Sequence, residues 1–213
     1  MASLRSKQLL VEGQDDKFSV VGLMEHHVDW PDRPVEPPVY IESVGSVSEI
    51  LKASFLRTTL KESGLAALGV MIDADVEPKA RWDSFRSTCI HAFPGMPDTL
   101  PSAGLIAQNA SGLRLGLWLM PDCSSSGMLV RHLVPEPDAP LWAHAESSFE
   151  AACRIGSPCR AAHSDKARIH TWLAWQDPPG ESLGRALTRK TLDPNAKTAA
   201  AAFVAWFKQL YHL

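Results

Sequence analysis

A short apolar run, Leu9, Leu10 and Val11, is cut off by Glu12 and Gly13 within the stretch KQLLVEGQDD from Lys7 to Asp16. A strand with one face in water alternates, so an unbroken run of this kind suits a strand buried on both faces. Gly13 permits unusual backbone angles and the close approach of a ligand. Gln14 to Met24 then reads as a helix with apolar Phe18, Val21 and Gly22 on one side. The stretch therefore predicts a strand that feeds a helix, with an acid at the crossing. Leu65 to Ile72 (LAALGVMI) is a second run, followed by Asp73, Ala74 and Asp75, and Leu115 to Met120 (LGLWLM) is a third, followed by Pro121 and Asp122. Two-sided strands spaced by helical segments predict an α/β fold, a mostly parallel central sheet flanked by helices.

Ligands of open α/β sheets sit beyond the carboxyl ends of the strands, which is where these acids arrive. Strand alternation puts Asp73 and Asp75 on the same side, about 7 Å apart. Asp16, four residues after Glu12, is expected one turn along the same helical face, whereas Asp15 points away as a surface or helix-start charge. Glu12, Asp16, Asp73, Asp75 and Asp122 gathered in one place would stay ionised only with cations bound. Hard oxygen ligands suit one or two Mg²⁺ or Mn²⁺ ions. For any one acid, capping the helix that follows is an equally ordinary role, but capping does not account for three strand ends together with Asp16.

The ordered combination of an apolar strand with VEGxxD, an apolar strand with DAD and a later strand ending in Asp resembles the TOPRIM domain of topoisomerases, bacterial primases, RNA maturases and OLD-type nucleases. A closer resemblance, through Met120 to Asp122 (MPD) and Leu173 to Gly180 (LAWQDPPG), is to small bacterial TOPRIM-like proteins of uncharacterised function. The resemblance implies a TOPRIM-like Rossmannoid core in which Glu12 does general acid or base work while Asp73 and Asp75 hold the metal. It implies a metal-dependent nuclease or related phosphoryl-transfer enzyme, with DNA or RNA as partner. By analogy with OLD-type nucleases, Lys166 would stabilise charge on phosphate. The related small proteins tend to carry an acid a turn or two after the MPD aspartate, where Gly127 to Arg131 here offer none. That departure favours a second possibility, a TOPRIM-like module without turnover that binds or regulates, for instance in phage defence. A nucleotide phosphohydrolase is a third. Tyr40 lies in an expected strand and Tyr211 at the chain's end, so neither suits topoisomerase chemistry, and the zinc and helicase-binding parts of a primase are missing.

Elsewhere the chain is read more coarsely. His26 to Pro38 holds four prolines in thirteen residues and marks a surface connection, with His26 and His27 as helix-end cations. Val39 to Val44 predicts a strand, and Ser46 with Glu49 a capping box that opens a helix through Leu60. A helix from Pro78 to about His91 faces Trp82 and Phe85 inward, and a loop follows from Pro94 to Gly104. Gly104 to Gln108 either pairs with Arg114 to Met120 across Asn109 to Gly112 or is merely extended. Gly127 to Val134 reads as a short helix. Beyond residue 138 the pattern is helical: Leu141 to Arg154, Ala161 to Gln176, Ser182 to Lys190 and Ala196 to His212. This gives a core over 1–138 and a helical extension over 139–213 packed on it as one unit. Phe203, Trp206, Phe207 and Leu210 form a core-facing stripe. His163, Lys166 and His170 share a face that a phosphate or only solvent would meet, and Arg185, Arg189 and Lys190 add local positive charge.

The net charge of −3 over 213 residues gives no global attraction to nucleic acid, so polyanion binding would need a local patch or metal ions. The four cysteines, Cys89, Cys123, Cys153 and Cys159, lack CxxC spacing and fit reduced thiols in the cytosol better than a zinc site. With no signal-like or membrane-length apolar run, a cytoplasmic, membrane-free protein is expected. Oligomeric state is not encoded in any feature of the sequence.

Overall fold

Five short segments pair into one sheet: β1 (Lys7–Val11), β2 (Tyr40–Ser43), β3 (Ala67–Asp73), β4 (Leu105–Gln108) and β5 (Arg114–Met120). The computed structural model describes residues 5–31, 35–74, 78–125, 132–195 and 199–213. The strand order is β2-β1-β3-β5-β4, parallel except for β4, which runs antiparallel to β5 at the edge. The α/β class with a mostly parallel sheet flanked by helices is thus the observed architecture. The hairpin left open by the sequence forms, because Asn109 Oδ1 accepts from the Ser111 and Leu113 N–H groups, both at 3.0 Å, and ties the turn.

Burial on both faces explains the unbroken apolar runs. Leu9, Val11, Met71, Trp118 and Met120 enter one core layer, whereas Leu10, Leu68, Val70, Ile72, Leu115, Leu117 and Leu119 enter the other. The second layer is closed by α2 (Val47–Ile50), α3 (Ala53–Thr59) and α4 (Pro78–Cys89), through Ile50, Leu56, Trp82 and Phe85. The single helix expected over 46–60 is in fact broken. Ser46 caps it as read, accepting the Glu49 N–H at 3.3 Å, but the chain turns at Leu51 and Lys52. In an unbroken helix Leu56 would lie about half a turn out of phase with Val47; the break lets both be buried.

The other face is covered by α1 (Gln14–Met24), α7 (Leu183–Thr188) and α8 (Ala199–Tyr211), with α5 (Ala139–Arg154) and α6 (Ser164–Leu173) packed on each other alongside. Helix α1 and α7 meet through glycines: a Cβ on Gly22 would lie 2.5 Å from the Gly184 carbonyl oxygen, and one on Gly184 2.7 Å from that of Phe18. This contact sets the buried side of α1 as Val20, Gly22, Leu23 and Met24, and corrects the expected placement of Phe18, which is 53% exposed. His26 and His27, at the end of α1, bond through Nε2 to the carbonyls of Leu187 at 3.0 Å and Pro194 at 2.8 Å. They tie α1 to the C-terminal part of the chain. The helix expected over Gly127–Val134 falls mainly outside the described residues. Among those described, no helix is long and apolar enough to cross a membrane.

Helix α8 seats on a dent in the sheet. Gly69 and Gly116 are register partners in β3 and β5, and Leu9 stands beside them in β1. Trp206, Leu210 and Tyr211 fill the space their missing side chains leave. Trp206 Nε1 donates to the Leu105 carbonyl at 2.8 Å, and the buried Tyr211 hydroxyl to that of Gln8 at 2.6 Å. A Cβ on Gly116 would lie 2.5 Å from Leu210 and 2.8 Å from Trp206, whereas Gly95 opens onto empty space. Gly116→Ala is therefore expected to lower unfolding free energy by about 1–3 kcal/mol in urea titrations. Gly95→Ala should change it by less than about 0.5 kcal/mol.

Candidate carboxylate site at the ends of the parallel strands

Parallel pairing of β1 with β3, Leu10 opposite Val70, brings the ends of the two strands side by side. Glu12 follows β1 directly and its Oε1 accepts the backbone N–H of Asp73, the last residue of β3, at 2.7 Å. Asp73 is exposed and Glu12 half-buried. In the next strand Asp73 pairs with Met120, and Asp122 lies two residues beyond. Glu12 and Asp73 are thus directly joined, and Asp122 ends the neighbouring strand. Asp75 lies outside the described residues.

Asp16 reaches the same region by another route than expected. Gly13 is the N-cap and α1 starts at Gln14, so Glu12 precedes the helix and shares no helical face with Asp16. Asp16 Oδ2 instead accepts the Gly13 N–H at 2.8 Å, a first-turn cap. Its carboxyl faces a cavity of about 30 Å³, room for about one water, whose walls include Ser19, Met71, Asp73, Met120 and Leu187. The Ser19 hydroxyl oxygen is buried there without a hydrogen-bond partner among the described residues. Burial raises the Asp16 pKa; the Gly13 N–H opposes it, Asp15 adds to it, and the Lys166 ammonium lowers it.

Asp122 is held in the opposite sense. Burial pushes its pKa up, but hydrogen bonds from Ser125 and Ser124, N–H and hydroxyl of each at 2.7–2.9 Å, outweigh this and bring it down to about 2. The turn Asp-Cys-Ser-Ser was the signal for these two serines, since Asx side chains bind backbone two and three residues on.

Asp15 is an exposed charge in the first turn of α1, as expected, and it also pairs with Lys166, which makes it an anchor. The pair ties α6 to the start of α1, two residues past Gly13. His170, on the same face, has its pKa lowered by burial and by Lys166, partly offset by Asp15. No local pattern signals this partnership, because Asp15 and Lys166 are 151 positions apart. Arg189 is engaged with Glu181 at 2.7 Å, which removes it from a local basic patch. Tyr211 is fully buried and raised well above its ordinary pKa, unsuited to act as a nucleophile.

All the acids placed here are hard oxygen donors, and one or two carboxylates with water and substrate oxygens are enough to hold Mg²⁺. Glu12 and Asp73 fit that sparse requirement, with Asp122, just past the end of the neighbouring strand, ionised at neutral pH. Among the described residues no three of His, Cys, Asp and Glu form a ready-made chelate.

Compared with family models, residues 6–212 match the one described as a protein of unknown function, DUF3226. Comparison with curated proteins and with solved structures gives no match.

The two perturbed carboxyls give opposite pH signs. Asp122 binds its proton less tightly folded than unfolded, so it contributes stability above pH 3.8 that is lost as pH falls towards about 2. Asp16 binds its proton more tightly folded, so its contribution declines as pH rises above 3.8. Ser125→Ala removes one of the bonds to Asp122 and is expected to move its titration from about 2 towards 3.8, read by carboxyl ¹³C NMR.

Proposed function

The chain belongs to the DUF3226 family, matched over nearly its whole length, and we propose that it is a TOPRIM-like, Mg²⁺- or Mn²⁺-dependent phosphodiesterase acting on nucleic acid. The observation that carries this is the hydrogen bond between Glu12 and the Asp73 N–H, which sets two acids from separate strands at one place on the carboxyl edge of the sheet.

In this reading Asp73, with Asp75, would hold the cation, and Asp122 adds negative charge at the end of the adjacent strand. A bound divalent ion would supply Lewis-acid polarisation of the phosphate and make a nucleophilic water accessible at neutral pH. Glu12 moves the proton. Its carboxylate is oriented by the Asp73 N–H at the strand end, from where it would act first as a base. Lys166, anchored by Asp15 beside the start of α1, supplies positive charge where phosphate oxygens would gain negative charge. The net charge of −3 makes the cation and Lys166 the means by which a polyanion is tolerated at this edge.

One observation favours a second reading, a binding or regulatory module without turnover. Asp16 and Asp122 already have hydrogen bonds within their own loops, which account for them as caps. The same acids on a smaller substrate would serve a nucleotide phosphohydrolase.

Supercoiled plasmid and single-stranded RNA incubated with Mn²⁺ or Mg²⁺ are expected to be cut. Asp73→Asn should abolish cutting, and Glu12→Gln should lower its rate by roughly 10²–10⁴-fold. Mn²⁺ should raise the melting temperature of the wild type and not of Asp73→Asn. A Mn²⁺-dependent melting shift with no cleavage of either substrate would give the module precedence. Absence of both the shift and cleavage would remove the enzymatic reading.

A further inference from the structure

The opposite end of the sheet carries a second concavity. Where β3 and β5 begin, the ends of α3 and α4 and the β4–β5 turn surround an open groove of about 390 Å³. A seven-residue strand separates it from the carboxylates by about 20 Å. Leu60, Ala92 and the edge of Leu113 form its apolar base, with Phe93 buried beneath, and the exposed side chains of Arg57, Lys61 and His91 its rim.

Among the described residues neither Arg57 nor Lys61 has a carboxylate partner, a condition that Lys17, Arg160 and Arg185 share elsewhere; what sets this pair apart is that both line one groove. Asn109 adds a neutral donor. Its Oδ1 is taken by Ser111 and Leu113, which leaves the amide NH₂ as the part it offers to a ligand. In a chain of net charge −3, two unpaired cations, a histidine and an amide around one apolar hollow are a local complement for an anion.

The position also limits which anion. Arg57 lies in the last turn of α3, Lys61 just past it and His91 just past α4. Helix C-termini carry partial negative charge, which favours the cations but repels a bare anion. A small inorganic anion therefore gains little there. A ligand that also lays a flat apolar body over Leu60, Ala92 and the edge of Leu113 gains from both parts. The volume falls in the lower range of small-molecule sites, which are mostly apolar with a few convergent polar groups.

We propose that this groove binds a mononucleotide, its base against the apolar base of the groove and its phosphate held by Arg57 and Lys61 with help from His91 and Asn109. The site is separate from the carboxylate edge and does not depend on its activity. Arg57 supplies a planar fork that matches phosphate oxygens, and Lys61 a point charge.

The test is calorimetric titration of the full chain with AMP in the presence of EDTA, with adenosine and inorganic phosphate in parallel. AMP is expected to bind, and each fragment to bind at least tenfold more weakly. The double variant Arg57→Gln/Lys61→Gln should lose at least tenfold in AMP affinity, whereas Asp73→Asn should stay within twofold. Both changed side chains are exposed, and an unaltered thermal melt certifies the fold. In amide NMR, AMP should shift Asn109 to Leu113. Absence of AMP binding up to millimolar concentration would overturn the proposal, as would affinity insensitive to the double variant. Phosphate binding as tightly as AMP, or binding lost in Asp73→Asn, would also overturn it.

Discussion

Two glycines in adjacent strands make the seat on which the rest of the molecule depends. Gly69 and Gly116, side by side in β3 and β5, leave a hollow that Trp206, Leu210 and Tyr211 fill. Burying an aromatic or Leu side chain contributes about 1.5–3 kcal/mol relative to exposure, an upper figure since the unfolded chain is itself partly collapsed. Phe203, Trp206, Phe207, Leu210 and Tyr211 are all buried, so α8 supplies a large part of the core on its side. The Tyr211 hydroxyl then fixes the Gln8 carbonyl in β1, four residues before Glu12. The last helix thus holds the strand that delivers the first acid.

Once β1 and β3 are locked in parallel, the acids at their ends have little freedom, and their surroundings separate their roles. Asp122 is wrapped by donors and ionised down to about pH 2. Asp16 is half-buried beside a mostly apolar cavity and holds its proton more tightly than usual. Glu12 is oriented by a backbone amide of the neighbouring strand. In the reading proposed above, these diverging environments would let one sheet edge carry both an acid-base and a charge-holding group. The ammonium of Lys166 reaches this edge only because α6 is tied to α1 through Asp15.

The sheet was legible because its evidence is local. Apolar runs at Leu9 to Val11, Leu65 to Ile72 and Leu115 to Met120 can be buried on two faces only in a parallel sheet, and their terminal acids follow from that geometry. What lay hidden depends on partners distant in the chain. Phe18 looks like a core residue at helical spacing until Gly184 settles against its backbone. Asp15 looks like a solvent charge until Lys166 meets it, and Gly69 looks like a weak point in a strand until Tyr211 occupies the space. The break at Leu51 and Lys52 was obscured for a different reason: the capping signal at Ser46 starts a helix but says nothing about its length, which the phase of Leu56 decides.

The parallel sheet also gives the molecule an electrical direction. Each crossover helix runs back against the strands, so helix N-termini gather at the edge with Glu12, Asp73 and Asp122, and helix C-termini at the edge with Arg57, Lys61 and His91. The dipoles favour acids at the first edge and cations at the second, each by about 0.3–1 kcal/mol. That preference accounts for the sign of the charges but not for their exposure. A cation placed only to satisfy a helix end has no need of an apolar hollow beside it, and an acid placed only as a cap has no need to reach across to another strand. Glu12 bonding to the Asp73 N–H, and Arg57 and Lys61 above Leu60 and Leu113 without carboxylate partners among the described residues, are therefore the features that helix electrostatics leaves over. They are where binding chemistry is to be sought on this fold, negative at one end of the strands and positive at the other.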